Sequence, residues 1–141
     1  MPRPLVALID DDPDVRHLLA MTLKRLYRVE TAPDGPAGLE LVRAQRPNVV
    51  VTDLGMPGLN GLDLCGTIKS DPELARIPVI IITGATRGEE LPGGFWRLGT
   101  QADDFLQKPF PPEQLLAAVQ AQLERAAGYK PLPPGTGSYG E

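Results

Sequence analysis

The chain has 141 residues, 42% of them apolar, with a formal net charge of -4 and a single cysteine. That is about one domain's worth of chain with enough apolar side chains for a core, and its acidic balance and scattered basic residues exclude direct nucleic-acid binding. A lone Cys65 excludes an internal disulfide and fits a reducing, cytoplasmic setting, and no apolar run is long enough to span a bilayer.

The N-terminus, Met1-Pro2-Arg3-Pro4, leads into the apolar run Leu5–Ile9 without the apolar stretch of a signal peptide. This run reads as a buried strand, and it ends against three adjacent carboxylates, Asp10, Asp11 and Asp12. Two carboxylates about 5 Å apart repel by roughly 3 kcal/mol at an effective dielectric near 20, so a cation, a helix N-terminus or water must offset them. Asp12 stands before Pro13 and reads as a helix N-cap with proline in the first turn. That leaves Asp10 and Asp11 for chemistry.

Val15, Leu18, Leu19, Thr22, Leu23 and Leu26 recur at helical spacing and predict the first helix. His17, the only histidine, lies off this stripe and reads as a solvated side chain. Arg28–Thr31 is an edge strand, and Ala37–Gln45 carries a second helical stripe with Leu41 and Val42. Val49–Val51 is a further strand ending at Thr52-Asp53. Leu62–Ser70 predicts a third helix, on which Cys65 reads as a small buried hydrophobe. Val79–Ile82 is a strand ending at Thr83. The next segment, Arg87 to Gly94, should hold a fourth helix, but its proline and paired glycines oppose one. A loop is expected there, with a short helix around Phe95–Leu98 and with Phe95 and Trp96 packed inward. Phe105-Leu106 is a weaker strand, and Leu115, Leu116, Val119 and Leu123 mark a last helix opened by Pro111-Pro112.

Strand and helix thus alternate about five times. Most strand runs lack polar alternation, which fits a parallel sheet covered on both faces. The expectation is an open, doubly wound α/β sheet over residues 1–127, followed by a Pro/Gly-rich disordered tail or linker over 128–141.

In such sheets ligands bind beyond the carboxyl ends of the strands, where strand order reverses. Asp10-Asp11, Asp53, Thr83 and Lys108 stand at those ends, so three carboxylates, a hydroxyl and an ammonium are expected on one rim. Hard oxygen ligands in small number suit Mg²⁺, with Mn²⁺ as an alternative. One carboxylate would remain as a nucleophile toward phosphorus, and Thr83 and Lys108 would steady phosphoryl oxygens.

At these positions the sequence resembles the response-regulator receiver domains of two-component signalling. The matching stretches are "LIDDDPD", "VVVTDLGMPGLNG", "IIITGA" and "ADDFLQKPF", in the family's order and spacing over about residues 4–125. The resemblance implies a flavodoxin-like receiver fold with strand order 2-1-3-4-5. It implies that Asp53 is the phosphorylated aspartate, that Asp11 is a direct metal ligand with Asp10 acting mostly through water, and that the Gly55 carbonyl completes the set. It implies that Thr83 and Phe105 are the switch pair and that the Lys108–Pro109 peptide bond is cis, a form realistic only before proline. Gly55 and Ala85 stand two places beyond Asp53 and Thr83, where family members tune phosphoryl lifetime. Small residues there predict a moderately long-lived phosphoform.

Two departures from the family pattern stand out. A few extra residues separate Thr83 from Phe105, and Gln101 replaces a glycine common before Ala-Asp-Asp. The family's output face includes the fourth helix, so a broken helix there puts the usual dimer geometry in question. The reading is a single-domain phospho-switch, served by a sensor histidine kinase or phosphotransfer protein and acting on a downstream effector, with a phosphorylation-dependent homodimer as one form. It would catalyse only its own phosphorylation and dephosphorylation, without turnover as an enzyme. One rival, an aspartate-nucleophile phosphohydrolase, usually needs an acid where Gly55 stands. A P-loop enzyme lacks its motif. A phosphorylation-independent interaction module on the same fold is the remaining alternative.

Overall fold

The computed structural model describes residues 3–84 and 101–127. The loop and short helix expected between residues 87 and 98, the packing of Phe95 and Trp96, the position of Ala85, and the tail from residue 128 lie outside the described residues.

Five strands form one parallel sheet: β1 (Leu5–Ile9), β2 (Arg28–Ala32), β3 (Val49–Asp53), β4 (Val79–Thr83) and β5 (Asp104–Gln107). Their order is β2-β1-β3-β4-β5, and every pair is parallel. β1 and β4 are buried at every position, as is β3 up to Asp53. This explains their apolar runs, Leu5–Ile9, Val49–Val51 and Val79–Ile82, since helices cover both faces. The edge strand β2 buries only Ala32, and three of its five residues are polar.

Successive strand residues face opposite sides. Val6, Leu8, Val49, Val51, Ile80, Ile82 and Leu106 join Leu19 and Leu23 of α1 (Pro13–Leu23) and Leu115 and Val119 of α4 (Pro112–Ala126). Ala7, Ile9, Val50, Val79 and Ile81 join Val42 of α2 (Gly35–Gln45) and Leu64, Cys65 and Ile68 of α3 (Gly61–Ser70). Leu18, counted in the apolar stripe of the first helix, is instead 64% exposed, and Leu26 lies past the helix end and is half exposed. At 3.6 residues per turn Leu18 sits about 100° round from Leu19, and Leu19 and Leu23 already fill the sheet-facing side.

Three helices begin with side-chain caps, each typically contributing about 1 kcal/mol. Asp12 accepts from the Asp14 and Val15 amides, Asp34 from Ala37, and Asn60 from Asp63. The last helix opens on Pro111-Pro112 without one. At the far end of the sheet Lys69 Nζ lies 2.9 Å from Asp103 Oδ2 and donates to the carbonyls of Ala75 and Ile77. Asp103 also accepts from the Val79 amide. This network ties the end of α3 to the starts of β4 and β5. Among the described residues, no helix is long and apolar enough to cross a membrane.

Candidate functional site

The parallel register lifts the ends of β1, β3 and β4 to one rim. Leu8 pairs with Val51 and Ile9 with Thr52, so Asp53 stands one step further along, near the residue that follows β1. Asp53 in turn pairs with Ile82, which leaves Thr83 one step beyond it on the neighbouring strand. The Lys108 amide donates to the Thr83 carbonyl at 2.9 Å, which fixes the last strand's exit beside the same rim.

The side chains meet there. Carboxylate oxygens of Asp10, Asp11 and Asp53 all lie within 4.8 Å of one another, and Lys108 Nζ lies 3.8 Å from Asp53 Oδ1. Asp10 is buried and Asp11 exposed, with Asp53 between them. Burial pushes the Asp10 carboxyl above its ordinary range. The Asp12 amide and Lys108 pull it back, while the Asp11 and Asp12 charges push it further up. Asp10 Oδ1 accepts from the Asp12 amide at 2.9 Å. Its other oxygen, Oδ2, is the one buried side-chain polar atom without a hydrogen-bond partner among the described residues. A buried, orphaned carboxylate oxygen beside two further carboxylates suits a small divalent cation with oxygen ligands.

The other residues singled out from the sequence fall as follows. Thr83 is buried at the carboxyl end of β4. Phe105 is half-buried and packs with the core on the α2 and α3 side. Gly55 is exposed on the loop after β3. The Lys108–Pro109 peptide bond is cis. Asp12 caps α1 instead of joining the carboxylate group, and His17 is exposed.

Two features of the site were not legible beforehand. Arg16, counted only among scattered basic residues, donates from Nη1 to the Asp10 carbonyl at 2.8 Å. Gly61 packs so closely under the loop after β3 that a Cβ there would stand 2.4 Å from the Asp53 carbonyl oxygen. Nothing in the sequence signalled that close approach.

Comparison with known proteins agrees with this geometry. A family model for the response regulator receiver domain matches residues 6–120. The DNA-binding response regulator MtrA of Mycolicibacterium smegmatis is 34% identical over 124 residues, covering 87% of this chain and 52% of that protein. The response regulator MprA of Mycolicibacterium vanbaalenii is 38% identical over 121 residues, covering 85% and 50%. The chain therefore spans about half the length of these curated relatives. Among solved structures, a putative response regulator from Chloroflexus aurantiacus superposes with a TM-score of 0.77 at 26% identity, covering 89% of this chain and all of that one. The chemotaxis response regulator CheY4 of Vibrio cholerae gives 0.74 at 28%, covering 85% and 98%. With its matched motifs, 2-1-3-4-5 sheet and acidic rim, the chain belongs to the response regulator receiver domains of two-component signalling.

Proposed function

We propose that Asp53 accepts a phosphoryl group from a phosphohistidine of a sensor histidine kinase or phosphotransfer protein, in a reaction that depends on Mg²⁺ or Mn²⁺. The observation that carries this reading is the meeting of three carboxylates within 4.8 Å beside one ammonium. An Asp53 carboxylate oxygen attacks phosphorus, the P–N bond breaks as the P–O bond forms, and the departing imidazole keeps the electron pair and takes up a proton. Asp10, Asp11, Asp53 and the Gly55 carbonyl would hold the cation, which when bound supplies positive charge against the phosphoryl oxygens. Lys108 holds a second positive charge at Asp53, so a phosphoryl oxygen there meets an ammonium in place of water. Thr83, one step beyond Asp53 on the next strand, offers a hydroxyl to another phosphoryl oxygen.

The switch follows from packing. Thr83 and Phe105 lie on adjacent strands, and Phe105 rests on the core beside α3. A Thr83 hydroxyl drawn toward the phosphoryl group vacates space that Phe105 enters, which biases a two-state surface read by a downstream effector or a second copy of the chain. Catalysis is confined to the protein's own phosphorylation and dephosphorylation, in the cytoplasm.

The test is phosphorylation by acetyl phosphate, read as intact mass with and without Mg²⁺. One phosphoryl gain that requires both Mg²⁺ and Asp53, and is lost in Asp53→Ala, is the expected result. No gain with acetyl phosphate or with a panel of histidine kinases sinks the reading in favour of a phosphorylation-independent module.

A further inference from the structure

Asp10 lies one residue past the end of β1 and is 2% exposed. Its polar atoms therefore need hydrogen-bond partners within the protein. Its amide donates to the Ala32 carbonyl at 3.1 Å, and its Oδ1 accepts from the Asp12 amide at 2.9 Å. Its carbonyl oxygen accepts from Arg16 Nη1 at 2.8 Å.

That last contact is an unusual one to spend an arginine on. The group it holds is a main-chain carbonyl, and three carboxylates lie close by. Left alone, the carbonyl would add another negative dipole end to a site already crowded with negative charge, and a buried unpaired carbonyl is itself unfavourable. The guanidinium removes both problems with one charge-assisted bond.

The peptide unit between Asp10 and Asp11 is a rigid plane. Fixing its oxygen therefore fixes the direction in which Asp11 leaves it, and with that the point from which the Asp11 side chain starts. Arg16 is itself anchored, because its amide donates to the Asp12 carbonyl at 2.8 Å and Asp12 caps the same turn of α1. The first turn of α1 and the Asp10-Asp11 corner thus form one closed ring of hydrogen bonds.

We propose that Arg16 is a positioning residue for the cation site: its guanidinium holds the Asp10–Asp11 peptide so that both carboxylates face Asp53. This role rests on the reading of the three carboxylates as a divalent-cation site.

The test is Mn²⁺ binding, followed by the loss of the free-ion electron paramagnetic resonance signal, with no phosphoryl donor present. The proteins compared are wild type, Arg16→Met, Arg16→Lys and Leu19→Ala, the last a buried residue of the same helix. Arg16→Met is expected to raise the Mn²⁺ Kd about ten-fold or more, the usual scale for groups that orient ligands. Arg16→Lys, with a cation but a different reach, is expected to fall between. Leu19→Ala is expected to lower the urea midpoint and keep the wild-type Kd. A wild-type Kd in Arg16→Met overturns the role, as does an equal rise in Leu19→Ala, which would mean general loosening of α1. Should Arg16→Met not fold, Arg16→Gln takes its place under the same criteria. Wild type that binds no Mn²⁺ overturns the cation-site reading itself. Binding by wild type and Arg16→Met alike overturns only the role of Arg16.

Discussion

Lys108 Nζ stands 3.8 Å from Asp53 Oδ1, close enough to act as its counter-charge and longer than a good hydrogen bond. The lysine side chain is 34% exposed, so water screens the pair and its contribution to folding is small. Under the proposed function its value lies in charge that is already in place when a phosphoryl oxygen arrives. Lys108→Ala should therefore change stability by less than about 1 kcal/mol while slowing phosphorylation by acetyl phosphate at least about ten-fold. Urea unfolding and intact-mass kinetics measure the two effects. Equal kinetics in the variant would remove Lys108 from the chemistry.

Asp10 predicts an opposite pattern. Its folded carboxyl holds a proton more tightly than the unfolded chain does, because it is buried beside other carboxylates. The contribution of this group to stability therefore falls as pH rises from the ordinary carboxylate range through its raised folded value, and at neutral pH the charge is a net cost. Asp10→Asn should stabilise the protein in EDTA at neutral pH, read as a higher melting temperature. Mg²⁺ should raise the melting temperature of wild type and leave that of the variant nearly unchanged. A variant less stable than wild type in EDTA would contradict the account of the Asp10 charge as a net cost.

At Gly61 the obstacle is main chain. An added Cβ would stand 2.4 Å from the Asp53 carbonyl oxygen and 2.9 Å from the Leu54 Cα, neither of which can swing aside like a side-chain tip. Alanine is the better helix former, by about 1 kcal/mol, yet the clash should prevail. Gly61→Ala is expected to lose about 1–3 kcal/mol and to bind Mn²⁺ more weakly, because the loop carrying Asp53 must shift. Calorimetry and Mn²⁺ titration together decide it, and a stabilised variant would show that the loop yields freely.

Cys65 should behave as an inert core residue. Burial pushes its thiol up to about 11, above the roughly 8.5 of a free cysteine. The native state therefore keeps its proton where the unfolded chain loses it. Stability from this group is intact below about pH 8.5 and declines as pH rises toward 11, at up to about 1.4 kcal/mol per unit. Ellman's reagent should react slowly with native protein at pH 8 and at once in urea. Rapid reaction without denaturant would place the thiol at the surface.

The strands that carry the site were readable because burial on both faces leaves one kind of sequence. The runs at Leu5–Ile9 and Val79–Ile82 have no polar positions to confuse the pattern, and the structure buries them throughout. The cap at Asp12 was readable for a local reason, since proline follows it. Arg16 was not, because a lysine-like surface residue and a residue that holds a carbonyl six positions back look the same in one dimension. The Lys69–Asp103 pair joins residues 34 apart in sequence, and neither neighbourhood hints at the other. Leu18 misled in the other direction, since helical spacing gives a stripe without saying how wide a strip the sheet has room to cover.

The position of the last strand at the sheet edge has a consequence for the newborn chain. Asp10 and Asp11 follow β1 and Asp53 ends the neighbouring strand β3, whereas Lys108 follows β5 at the edge of the sheet. Lys108 follows Asp53 by 55 positions, roughly 3–11 s of ribosome travel. Among the described residues, the ammonium that stands beside Asp53 is thus the last part of the site to be synthesised, directly after the last strand of the sheet.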